Sequence, residues 1–202
     1  MPLTKNRIPA PVPRTEDYAM LLAALDAAAP LARSQAALAL SDHPRAAAAL
    51  LARLPHEDNA AVRSAIVAAL ASIGNADAVA GLARCLGGED VWLRNAAIEV
   101  LRSLPDHVAP LMGHLLTDPD RDVRILALGV LEDLRHADAE RWLLHVIECE
   151  GDVNVCSAAL DVLAQLATPA ARVPVTALLE RFAAEPYVQF AGALVLRRID
   201  GS

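Results

Sequence analysis

Few side chains in this sequence are of a type and spacing that could do chemistry. His145 and Cys149 stand one helical turn apart, and Cys156 follows seven residues later. Imidazole and thiolate donors spaced like this could meet around one corner as three ligands of a zinc-type metal. Small thiols more often pack as buried hydrophobes, so the expectation is no bound metal and no cofactor. The pair His56-Glu57 places a carboxylate directly after an imidazole, whereas His43, His107, His114, His136 and His145 have none in that position. No glycine-rich phosphate loop, nucleophile elbow or isolated carboxylate pair is present. The sequence therefore predicts no catalytic residues and a chain that is not an enzyme.

The elements that hold these residues follow from an internal repeat. An apolar residue followed by Arg recurs at Ala32-Arg33, Val62-Arg63, Leu93-Arg94 and Val123-Arg124, with degenerate copies at Val155-Cys156 and Val188-Gln189. The spacings are 30, 31, 30, 32 and 33 residues, the length of a helical hairpin used as a repeat unit. Behind each anchor, apolar residues fall at +3, +4, +7, +8 and +11, a single 3.6-residue stripe. Val62, Ala65, Ile66, Ala69, Leu70 and Ile73 show it, as do Leu93, Ala96, Ala97, Val100, Leu101 and Leu104. A shorter first helix precedes each stripe, at about 17–29, 44–54, 76–86, 106–116, 137–149 and 170–184. Pro30, Pro44, Gly74, Pro105, Pro119, Gly151, Pro169 and Pro186 punctuate the helix ends, where a missing amide or a left-handed residue costs least. Pro110 and Pro174 fall inside first helices and predict kinks or late starts.

This gives an all-α chain: a right-handed superhelical solenoid of about six hairpins over 17–202, preceded by an extended, proline-rich arm at 1–16. Hydrophobic residues reach 55% while aromatics stop at 3%, a composition suited to helices packed closely through small aliphatic side chains. The net charge of -7 removes most of the counterion-release term in nucleic-acid binding, so no nucleic-acid partner is expected. No apolar run reaches the roughly 18 residues of a membrane span, and the early prolines and acids spoil a signal peptide. Three cysteines at no recognised disulfide spacing fit a reducing compartment, which makes a cytoplasmic location the expectation.

The segment Asp118-Pro119-Asp120-Arg121-Asp122-Val123-Arg124, an acid, a short gap, Val-Arg and then small apolar pairs, resembles the HEAT repeat. The likeness is to the bacterial short form also found in phycobilisome lyase subunits, and it covers about 17–199. The resemblance implies a structural ladder in which Arg33, Arg63, Arg94 and Arg124 hydrogen-bond across neighbouring repeats. The acids at the start of the same second helices, Glu57 or Asp58, Asp90, and Asp118 or Asp120, are the expected acceptors. HEAT-like deoxyhypusine hydroxylases carry repeated His-Glu pairs, and this chain has one. HEAT-like DNA glycosylases use a basic, aromatic face, and this chain is acidic and nearly lacks aromatics.

In such a stack the second helices line the concave surface. Their non-core positions include Glu99, Arg102, Glu132, Asp133, Asp161 and Arg197. The column one residue before each anchor adds Trp92 and Tyr187, types favoured as interface anchors. These eight form the expected partner-binding set. A solvated helix face is the commoner explanation of such charges, and packing over the Gly87-Gly88 turn would explain Trp92 as well as a partner contact does. The expected function is a non-catalytic scaffold or adaptor holding a protein or peptide, with a regulatory role. The alternative is an accessory subunit of a lyase-like or cofactor-attaching enzyme.

Overall fold

The computed structural model describes residues 15–134 and 136–201; most of the expected N-terminal arm, 1–14, lies outside them. The described residues form twelve α-helices and no strand. They pair into six hairpins, one for each copy of the sequence repeat, and divide into two compact units, 1–73 and 74–202.

The first unit holds two hairpins. In the first, α1 (Thr15–Ala24) precedes α2 (Pro30–Ala39); in the second, α3 (Ala47–Arg53) precedes α4 (Ala60–Ile73). α2 packs along α4, and α3 returns against α4. Leu40, Leu50, Leu54, Val62, Ile66 and Leu70 are buried between them.

The second unit holds four hairpins. Its first helices are α5 (Ala76–Arg84), α7 (Pro105–Leu115), α9 (Ala139–Cys149) and α11 (Arg172–Arg181). Its second helices are α6 (Val91–Arg102), α8 (Arg121–Asp133), α10 (Val153–Leu166) and α12 (Pro186–Asp200). These lie side by side in sequence order as one layer, since α6 packs on α8, α8 on α10 and α10 on α12. One such hairpin cannot bury its own apolar stripe, so stacking supplies most of the stability.

Every second helix starts in one of two ways, both readable in the sequence. Asn59, Asp90, Asp120 and Asp152 each accept a hydrogen bond from an amide in the first turn of the helix that follows, which satisfies donors the helix itself cannot. Pro30 and Pro186 instead occupy the first helical position, where the missing amide removes nothing. Gly74 follows α4 with φ 53°, the left-handed conformation that glycine adopts without strain.

The expected helix limits shift in places. α1 ends at Ala24 rather than at 29. α11 starts at Arg172, late, after a 3₁₀ turn over Pro169–Ala171, so Pro174 sits in its first turn. Pro110 lies inside α7, which continues through it. Ile73, Leu93, Ala96 and Leu104 are half-buried rather than core.

Candidate partner-binding face

The repeat arginines act first on the turn that precedes their own helix. Arg33 Nη1 donates to the carbonyl of Ala27 at 2.8 Å, Arg94 Nη1 to Gly88 at 3.0 Å and Arg124 Nη1 to Asp118 at 2.7 Å. In each copy the acceptor lies six residues back, so the guanidinium staples the helix start to the incoming chain. Two of these arginines also reach a carboxylate in the next repeat. Arg33 forms a two-pronged pair with Glu57, Nε to Oε2 at 2.8 Å and Nη2 to Oε1 at 2.9 Å. Arg124 pairs likewise with Glu150, at 2.7 and 3.3 Å. The planar fork matches the two carboxylate oxygens. Arg63 is half-buried in the first turn of α4.

Glu57 is buried, with 1% of its side chain exposed, and it also accepts from Arg53 Nη2 at 2.7 Å and from the Asn59 amide at 2.9 Å. The Arg33 hydrogen bond, aided by the Asn59 amide and the nearby Arg53 charge, outweighs burial and holds its carboxyl below the ordinary glutamate value. At Glu150 burial pushes the carboxyl up. The Asp152 and Gly151 amides and the Arg124 guanidinium together overcome this and hold it below its ordinary value.

The second helices of the second unit carry all eight expected partner-binding residues, and several of them bind one another. Arg102 crosses from α6 to α8, where Nε and Nη2 donate to the Gly129 carbonyl at 3.1 and 2.8 Å. The same guanidinium lies 3.4 Å from Glu99, 3.3 Å from Asp133 and 4.0 Å from Glu132. Gln165 on α10 donates to Glu132 at 3.0 Å. Tyr187 on α12 donates its hydroxyl to both Asp161 oxygens, at 2.8 and 2.9 Å, and the carboxylate raises the phenol above its ordinary pKa. Arg197 is exposed in the last turn of α12.

Trp92 is 40% exposed, far from a core tryptophan. At the other end of the layer, Tyr187, Phe190 and Leu194 are 53%, 58% and 38% exposed. Spacings of three and four residues set them in one stripe along α12.

A model of HEAT repeats matches residues 18–102 and 108–200. The chain belongs to the HEAT-repeat family. No curated protein matches this HEAT-repeat chain. Among solved structures it is similar to an engineered protein at 18% identity, covering 92% of this chain and 97% of that one, with a TM-score of 0.46. The complex of CpcE and CpcF of phycocyanin lyase from Nostoc sp. aligns at 19% identity over 96% and 98%, with a TM-score of 0.38. A designed armadillo repeat protein aligns at 16% identity over 88% and 98%, with a TM-score of 0.40.

Four features of these HEAT repeats escaped the sequence reading. The carboxylate that each paired arginine meets belongs to the following repeat, not to its own helix. Glu150 was passed over, although Glu57-Asp58-Asn59, Asp118-Pro119-Asp120 and Glu150-Gly151-Asp152 share one pattern. In each, the acid accepts the amide of the capping residue two positions on. Arginines at the ends of first helices also matter. Arg53 donates to the Leu25 carbonyl at 3.2 Å, and Arg181 donates to the carbonyls of Ile147, Glu148 and Glu150 at 2.7, 3.1 and 2.9 Å. Leu194 occupies the +6 position of α12 and extends the exposed stripe.

The His145, Cys149 and Cys156 corner divides. Cys149 Sγ lies 3.7 Å from His145 Nδ1 on the surface, while Cys156 is buried and turns to the Glu150 carbonyl and Arg181. Among the described residues no group of three His, Cys, Asp or Glu is placed to hold a metal. Nor is any described helix long and apolar enough to cross a membrane.

Proposed function

We propose that this HEAT-repeat chain is a non-catalytic scaffold that holds a protein partner on the second-helix face of α6, α8, α10 and α12. The observation that carries this is the exposed stripe of Tyr187, Phe190 and Leu194. Three large apolar side chains aligned in water, in a chain with 3% aromatics, have the make-up of an interface centre rather than scattered surface residues. Trp92 at the opposite edge and the carboxylates of α8 and α10 between them would form the rim. Glu99, Arg102, Glu132, Asp133, Asp161 and Arg197 then set the charge pattern a partner must match.

Affinity capture from native lysate tests this with three baits: wild type, Phe190→Asp, and Val173→Asp as a control on the exposed surface of α11. A partner retained by wild type and Val173→Asp but lost by Phe190→Asp supports the face. Equal capture by all three baits removes it. The alternative, an accessory subunit of a cofactor-attaching enzyme, calls for a coloured preparation that retains a tetrapyrrole, and an absorption spectrum of the same sample separates the two.

A further inference from the structure

We propose that the occupant of this face is a second copy of the chain, paired two-fold and antiparallel along α12. The inference rests on the reading of the face as a protein-binding surface and names the partner.

The first argument is the spacing of the exposed residues. Tyr187, Phe190, Leu194 and Arg197 are all exposed and follow one another at intervals of three, four and three residues. At 3.6 residues per turn they fall within an arc of about 80°, the narrow seam along which two helices pack on each other. The intervals read the same in either direction. Phe190 and Leu194 stand two residues either side of Gly192, and Tyr187 and Arg197 five residues either side. A two-fold axis passing opposite position 192 therefore lays each Phe190 on the Leu194 of the other copy and each Tyr187 against the other Arg197. This is the self-complementarity an isologous interface needs. Parallel pairing would set one Arg197 against the other.

The charges at the two ends of the seam supply the second argument, because they are opposite. At the start of α12, Tyr187 donates to the exposed carboxylate of Asp161, and the exposed Glu185 precedes the helix. At its end stand Arg197 and Arg198, while Asp200 is held by Arg172. Ten residues of helix, about 15 Å, separate Tyr187 from Arg197, so the basic end does not reach the acidic end within one copy. Antiparallel pairing closes both gaps at once. Each Arg197 guanidinium then lies on the phenol ring at the start of the other α12, backed by the Asp161 carboxylate, and the apolar centre between the two ends leaves water.

Sedimentation velocity of the full chain from about 5 to 500 µM tests this. The seam is one helix pair, in the class of weak interfaces, so a dimer with a dissociation constant of about 10–100 µM is expected. Phe190→Asp, Arg197→Glu and Asp161→Arg should each weaken it at least about tenfold. The last two repel themselves at both ends of the seam and attract each other at both ends. Fluorescein-labelled Arg197→Glu should therefore form a dimer with unlabelled Asp161→Arg at concentrations where each alone is a monomer. All three changes fall on exposed side chains, and an unchanged helical circular dichroism spectrum shows that the variants fold. A wild type that stays monomeric throughout, a dimer indifferent to the variants, or a mixture no tighter than its components overturns the proposal. If the wild type stays monomeric while lysate capture is still lost with Phe190→Asp, the occupant is wrong and the face stands. If neither self-association nor capture responds to Phe190→Asp, the face itself is wrong.

Discussion

The junction between the first two repeats and the junction between the last two fill the same structural slot with different chemistry. Between the first and second hairpins, Arg33 from a second helix and Arg53 from a first helix converge on one buried carboxylate, Glu57. Between the fifth and sixth, the second-helix position is Cys156, and Arg181 from the first helix works alone, on three backbone carbonyls and the buried thiol. Burial raises the Cys156 pKa against the opposing pull of Arg181, so the thiol stays neutral there. Both junctions keep a guanidinium between the repeats. Which helix supplies it, and whether it meets a carboxylate or bare carbonyl oxygens, can vary.

The largest expected effect separates the two kinds of carboxylate. Glu57→Ala strips a buried acceptor from two guanidinium groups and should cost about 3 kcal/mol, most of it the penalty of leaving those charges unpaired. Glu150→Ala, more exposed and serving one guanidinium, should cost about 1–2 kcal/mol. Urea unfolding of each variant measures both, and equal losses would break the comparison.

Acid titration sharpens it. Both carboxyls are held below the ordinary glutamate value of 4.5, so below that pH the unfolded chain binds more protons than the native one. Their contribution is complete above about 4.5 and drains away as pH falls through the lowered native values. Glu57→Gln should flatten the stability profile in that window, and an unchanged slope would deny the carboxylate its role.

Arg181→Lys should cost about 1 kcal/mol, because a single ammonium cannot span three carbonyls fixed for a fork. Hydrogen exchange at the end of α9 should rise while exchange in the first unit stays level. The smallest effect is expected at Gly192, where an added Cβ would lie 2.5 Å from Leu179 Cδ2 and 3.0 Å from its Cγ. The overpacking in Gly192→Ala is largely offset by better helix propensity and by movement of the Leu179 side chain, leaving a loss of about 0.5 kcal/mol in thermal unfolding.

The six-hairpin architecture was legible because the anchors are periodic, and because Asn59, Asp90, Asp120, Asp152, Pro30 and Pro186 mark helix starts by local chemistry alone. Pairing across repeats was less legible. Arg33 and Glu57 lie 24 residues apart, and nothing local says that the carboxylate turns back to the preceding unit. The face was read only in part. Glu132 and Asp161 sit where the 3.6-residue period puts them, but the period does not reveal that Gln165 and Tyr187 already bond to them. Phe190, two positions past its anchor, fits either an apolar patch or the border of the core by sequence alone, and its exposure decides for the surface.

The doubled arginines at Glu57 also bear on how such a chain can change over time. A slot reached from two places in the sequence can lose either contributor without falling vacant, so a substitution that would be lethal in a single-keyed joint becomes a tolerable step. Cys156 beside Arg181 has the form such a step would leave: one key gone and the other still turning the lock. Redundancy of this kind lets the individual copies wander apart in sequence while the joint between them stays closed.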